Sequence, residues 1–211
     1  MAESRPASGS QSGGMALLRI SGLAGIFGPV TFVIVYTVFG FVSVGYSPIT
    51  QVISNLELVQ NGWVQQLNFL QCGTLIIVFA LGFRKTLLGI VQRHLRLSTA
   101  FLVLSGAGMV DASYFTPATP IEHTIGFLFF IIPLTASFFL VGRQLLRSDS
   151  WHAIGIYTLV SGFATFALLL SFFFLGASES FGFVGVVNRL FVMEALAWFV
   201  VIGTRLFRSK Q

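Results

Sequence analysis

Glu194 stands close to the middle of the apolar run 185–206, where a carboxylate costs several kcal/mol unless it is paired or protonated. The nearest cation in sequence, Arg189, would lie about 7.5 Å along a common helix but roughly 140° round it, too far for direct pairing. Glu194 therefore needs a partner from another segment, a proton, or a water-filled cavity. Asp111, near the outer end of the run 97–115, and Arg189, near the outer end of the last run, are expected at similar depth and able to form an interhelical ion pair. Such a pair is either a structural clamp or a site for an anion or for acid–base chemistry. In the chemical version, Glu194 or Asp111 acts as general acid or base while Arg189 holds an anionic head group.

Gln65, Asn68 and Gln71 stand three apart in the run 63–83 and drift slowly round one side of a helix. Lipid cannot solvate amides, so they face other helices or a polar cavity wall. His123 joins Asn68, Gln71 and Arg189 as a candidate ligand contact. Because His94 and His152 fall on the opposite side of the membrane in the topology below, one histidine does not assemble a zinc site. No metal or other cofactor is expected: the chain has no phosphate-binding glycine loop, nucleophile elbow or HExxH motif.

The elements that position these residues follow from hydropathy. With mean hydropathy +0.88, 55% hydrophobic residues and 9% charged ones, the chain reads as an all-α integral membrane protein. A span needs about 20 mostly apolar residues, and six stretches qualify: 17–44, 63–83, 97–115, 124–141, 152–176 and 185–206. The expected organisation is a disordered tail over 1–16, a six-helix transmembrane domain over 17–206 and a short tail over 207–211. The first stretch is too long for a removed signal peptide and lacks a small-x-small cleavage site.

Orientation comes from the basic residues. Arg5, Arg19, Arg84, Lys85, Arg93, Arg96, Arg143, Arg147, Arg205, Arg208 and Lys210 fall on one side and only Arg189 on the other. The positive-inside rule makes the first side cytoplasmic, with both termini there. Topology thus accounts for the net charge of +5, with attraction to anionic lipid as a secondary effect, and no nucleic-acid site is indicated. Five of seven acids, Glu57, Asp111, Glu122, Glu179 and Glu194, lie on the other side or near mid-membrane, so a polar pocket would open exofacially.

In the first exofacial loop, Ile49, Val52, Ile53, Leu56 and Val59 recur at helical spacing, with Thr50, Gln51, Ser54, Asn55 and Glu57 opposite. Ser47-Pro48 supplies an N-cap and an N1 proline. This predicts a short amphipathic helix lying in the interface, either a packing element or a lid. Asn61-Gly62 turns the chain and Trp63 marks the headgroup level. Thr119-Pro120-Ile121-Glu122 reads as a capping box opening the fourth span. Ser21, Gly22, Gly25 and Gly28 form a small-residue sector suited to close helix approach. Cys72, the only cysteine, reads as a buried apolar thiol.

Several of these segments resemble one family. Tyr46-Ser-Pro-Ile-Thr-Gln-Val-Ile-Ser-Asn-Leu, Gly62-Trp63, Leu67-Asn68-Phe69, Gly73 and Phe79-Ala-Leu-Gly-Phe-Arg84 are similar to the signature of the multi-pass proteins grouped as domain of unknown function 998. Asp111 with a following proline, His123-Thr-Ile-Gly126 and the 185–189 segment resemble its later motifs. The resemblance implies the fold over roughly 17–206, a prokaryotic cytoplasmic membrane, and Asn68, Asp111, His123 and Arg189 as positions of interest; it names no substrate. The chain departs from the pattern at Asn55, where the family tends to carry an acid, and at Glu57, where glycine is usual.

Three functions remain compatible with these residues. The first is a non-enzymatic accessory subunit of a larger membrane complex, or a lipid-interacting protein with a polar exofacial pocket; its partners are membrane lipids and protein subunits. The second is a membrane-embedded enzyme acting on a lipid or isoprenoid, and the third a small proton-coupled transporter using Glu194. The chain shows no evident internal repeat of the kind many transporters carry.

Overall fold

A computed structural model of the chain describes residues 9–88, 94–176 and 182–208. Arg5, Arg93, Glu179, Lys210 and the first eight residues of the expected tail lie outside the described residues. The elements are α1 (Gly9–Val42), α2 (Trp63–Leu87), α3 (Leu95–Tyr114), α4 (Pro120–Leu145), α5 (His152–Gly176) and α6 (Val184–Arg208), with short 3-10 helices at Ile53–Glu57 and Asp149–Trp151. All six α-helices are long and apolar enough to cross a membrane, and among the described residues every regular element is helical. The all-helical, six-span reading therefore holds. The α1 helix begins ahead of the apolar stretch because intrahelical bonds satisfy the backbone whether or not the side chains are apolar.

Each helix packs against its neighbours in sequence, and α6 returns to α1, closing a ring. The α1–α2, α3–α4 and α5–α6 connections share one end, here called the loop end; the other, the basic end, carries Arg84, Lys85, Arg143, Arg147, Arg205 and Arg208. Between helices that share a lipid solvent, association rests on close packing, and glycines sit at successive contacts. Gly22 faces Gly203 across α1 and α6, and Gly73 faces Gly106 across α2 and α3, where a Cβ on Gly73 would fall 2.5 Å from the Gly106 carbonyl oxygen. Gly108 abuts Gly126 and Phe130 of α4. The small sector of α1 behaves as expected: Gly25 meets Phe79, Gly28 meets Leu75, and Ser21 fits against Gly82.

The basic half of the interior is aromatic. Phe79, Phe83, Phe138 and Phe199 surround Trp198 at centroid distances of 5.9, 5.8, 4.8 and 5.2 Å, mostly edge to face, the arrangement favoured by ring quadrupoles. The buried indole N–H donates to Thr158 Oγ1 of α5 at 3.0 Å, which also ties the ring together. Cys72 is free and fully buried, consistent with its reading as an apolar filler.

Two local expectations fail. Thr119 is the residue before α4 and Pro120 occupies its first turn, but Thr119 makes no capping bond; its hydroxyl donates to the Thr116 carbonyl at 3.1 Å. The tight turn preceding the helix captures the hydroxyl, so the capping box with Glu122 does not form. The amphipathic surface helix over the first loop is also absent. Its place is taken by a turn closed by the Gln51 N–H on the Ser47 carbonyl, an extended Val52, and the 3-10 helix Ile53–Glu57, in which Ile53, Leu56 and Glu57 are buried.

The glycine contacts make a stability prediction. Gly108→Ala puts a methyl against the α4 backbone and should cost about 1–3 kcal/mol, whereas Gly182→Ala, with nothing within 4 Å of its Cβ position, should leave thermal unfolding in detergent unchanged.

Candidate functional site

The loop end is organised by the first turns of α6. Gly185 has no side chain, and a Cβ there would lie 2.5 Å from the carbonyl oxygens of both Pro48 and Gln51; the loop backbone therefore lies directly on the helix. The Gly185 N–H, one of the free donors of a helix start, donates to the Ile49 carbonyl at 2.9 Å. One turn on, Asn188 is buried and its Oδ1 accepts from the Ile53 N–H at 3.0 Å.

Arg189 completes the attachment. Its Nη1 donates to the carbonyls of Pro48 (2.7 Å), Gln51 (3.0 Å) and Gly185 (3.0 Å), and its Nη2 donates to the Tyr46 hydroxyl. That hydroxyl in turn donates to the Val52 carbonyl at 3.0 Å. The guanidinium carbon also lies 5.8 Å from the Tyr36 ring centroid and 5.6 Å from that of Tyr46, within cation–π range. Burial holds the Tyr46 phenol above its ordinary value, against the opposing effect of Arg189, so it stays protonated. These bonds explain why the loop is not a surface helix: its carbonyls are turned towards α6 and are unavailable to an internal ladder.

The expected Arg189–Asp111 ion pair is consequently not formed. Asp111 lies instead on α3 against Gly126 and close enough to influence His123. His123 Nδ1 is 2.6 Å from the Phe115 carbonyl oxygen. A carbonyl only accepts, so the neutral ring carries its proton on Nδ1 and leaves the Nε2 lone pair free.

Beneath the loop is a cavity of about 60 Å³. Phe32, Phe69, Met109, Phe127, Phe130 and Val192 supply apolar wall, while Ser54, His123 and Asn188 are its polar contributors. Of the six candidate site residues Asn68, Gln71, Asp111, His123, Arg189 and Glu194, only His123 lines it. Asn68 donates through Nδ2 to the Phe32 carbonyl (3.1 Å) and to Gln65 Oε1 (3.2 Å), and Gln71 Oε1 accepts from Thr31 at 3.0 Å. The amides thus join α2 to α1.

Glu194 is also elsewhere, on the face of α6 towards α5. It accepts a hydrogen bond from Thr165 and interacts with Ser161, with Tyr157 nearby. Its partners come from another span, as its isolation from Arg189 requires, and they form a seam of hydroxyl groups separate from the cavity. Among the described residues no group of three His, Cys, Asp or Glu side chains could hold a metal ion.

The family model described as protein of unknown function (DUF998) matches residues 26–205. The chain belongs to this family. No curated protein and no solved structure matches it. The DUF998 match includes the loop, the cavity, Asp111, His123, Arg189 and the Glu194 seam, so all of them lie within the family's own extent.

Within that DUF998 frame, Glu57 is the residue sequence reasoning misplaced. Helical spacing put it on a solvated face, yet it is 7% exposed and neither carboxylate oxygen has a hydrogen-bond partner. Burial pushes its carboxyl up to about 8. Gly185 and Asn188 were likewise unassigned, because their partners are backbone groups that no side-chain motif reports, and so was Tyr46, which links the Arg189 side chain to the Val52 carbonyl.

Two outcomes follow. Arg189→Gln should destabilise the loop attachment by about 2 kcal/mol, the scale of charge-assisted hydrogen bonds, seen as faster amide exchange over 46–57. For Glu57, a folded-state value above the unfolded one means that stability is fully present below the ordinary value of 4.5 and falls as pH rises towards about 8. Glu57→Gln should remove that decline from a thermal-stability profile taken across the same window.

Proposed function

We propose that this chain is a non-enzymatic, lipid-interacting protein that holds part of an acyl or isoprenoid chain in the cavity under the first loop. The carrying observation is the chemistry of that cavity: aromatic and aliphatic walls contributed by α1, α2, α3, α4 and α6, with a few polar groups near the loop. Such a surface rewards burial of an apolar chain by about 25 cal/mol per Å², and Ser54, His123 and Asn188 give orientation to a polar terminus. The loop, fixed by Arg189, separates this space from the aqueous side. The distribution of basic residues supports placing both termini in the cytoplasm and the loop end outside, and the family resemblance is what suggests the cytoplasmic membrane of a prokaryote. The apolar outer faces, including Phe27, Phe129, Phe163 and Phe174, suit lipid and also leave room for protein subunits.

A membrane-embedded enzyme is the second reading, and one arrangement favours it: His123, with Nε2 free, lies beside Asp111 at the edge of an apolar cavity. There His123 would be the base and Asp111 its electrostatic support. Glu194, in its hydroxyl seam, supports helix association rather than this chemistry.

Filling the cavity tests the first reading. Ala112→Leu adds volume at a lining position and should lower the fraction of protein that retains lipid in native mass spectrometry. Retention equal to wild type in the folded variant would exclude this cavity. Turnover of a lipid substrate abolished by His123→Gln would favour the enzyme.

A further inference from the structure

The basic end contains a second and larger cavity, of about 270 Å³, lined by His94, Leu140, Arg143, Gln144 and Arg147. Arg143 lies in the last turn of α4 and Arg147 two residues beyond its end, in the turn closed by the Arg147 N–H on the Gln144 carbonyl, and both line the cavity. Both are exposed, as is His94, the residue preceding α3, which has a left-handed backbone (φ 60°) and makes no capping bond across that helix start. The Gln144 amide is oriented by donation to the Leu140 carbonyl at 2.9 Å. Among the described residues no carboxylate lines the cavity. Asp149, the acid nearest in sequence, belongs to the following 3-10 helix, and the segment 89–93 contributes Arg93 and no acid to the chain.

Two guanidinium groups, which only donate, stand with an imidazole and an amide around a space large enough for a tetrahedral oxyanion. Guanidinium groups match phosphate oxygens in pairs. Leu140 supplies the apolar part of the lining. The geometry points to a binding site for a phosphate group between the start of α3 and the end of α4, carried either by an anionic phospholipid headgroup at the membrane surface or by a free phosphate. This site lies at the opposite end of the bundle from the apolar cavity, and it stands or falls independently of the function proposed for that cavity.

The test compares three forms of the full chain: wild type, Arg143→Gln/Arg147→Gln, and Arg84→Gln/Lys85→Gln, which removes the same charge from the last turn of α2 outside the cavity. Each is titrated with phosphatidylglycerol and with phosphatidylcholine in native mass spectrometry, and with inorganic phosphate in calorimetry. The proposal expects the Arg143/Arg147 variant to lose about tenfold in affinity for phosphatidylglycerol or for inorganic phosphate, the responsive ligand identifying the source, while the Arg84/Lys85 variant stays within about twofold of wild type. His94→Gln, which keeps every arginine, should give a smaller loss in the same direction and guards against a folding defect in the double variant. Equal losses in both double variants would reduce the effect to general surface charge and overturn the site, as would undiminished binding in the Arg143/Arg147 variant.

Discussion

Arg189 brings a cation into the loop end of the bundle and gives its N–H groups to the carbonyls of Pro48, Gln51 and Gly185 and to the Tyr46 hydroxyl. The constraint behind this is that irregular backbone placed against an apolar bundle must find partners for its polar groups. Gly185 and Asn188 meet the same need at adjacent points, one through its backbone N–H and its lack of a side chain, the other through a side-chain oxygen. With the loop fixed, Ile53 and Leu56 enter the core, Ile53 and Ser54 contribute to the cavity, and Glu57 is carried inside with them.

Hydropathy made the six spans legible, because a run of apolar residues long enough to cross a membrane has few other uses. The small sector of α1 was legible for a related reason: helices in a shared apolar solvent need close approach, and Gly22, Gly25 and Gly28 permit it. The interhelical role of the α2 amides was one of two readings open from sequence, and Phe32 and Thr31 provide their partners. What stayed hidden depended on backbone. Nothing in the spacing of Ile49 to Val59 distinguishes a surface amphipathic helix from a loop whose carbonyls face an arginine more than a hundred residues later. Asp111 and Arg189 share a depth in sequence, but depth does not fix azimuth around a ring of helices, and Asp111 lies beside His123 instead.

The separation of polar groups bears on function. A carboxylate near mid-membrane invites a chemical role, yet the Glu194 carboxylate is held by Thr165 at the α5–α6 seam, away from the apolar cavity under the first loop. That space is bounded chiefly by Phe, Met and Val, with His123 the only titratable group on its wall among the described residues. The apolar character of the cavity and the fixed loop above it favour holding a chain over transforming one, and His123 with Asp111 marks the place where chemistry would have to occur.

The central claim is that an apolar chain enters this cavity, and photo-crosslinking with a lipid bearing a diazirine on its acyl chain tests it most directly. With the protein in nanodiscs, the account predicts adducts on Met109, Phe127 or Phe130, inside the ring. Adducts confined to the outward-facing Phe129, Ile132 and Phe163, with none on the cavity wall, would contradict it.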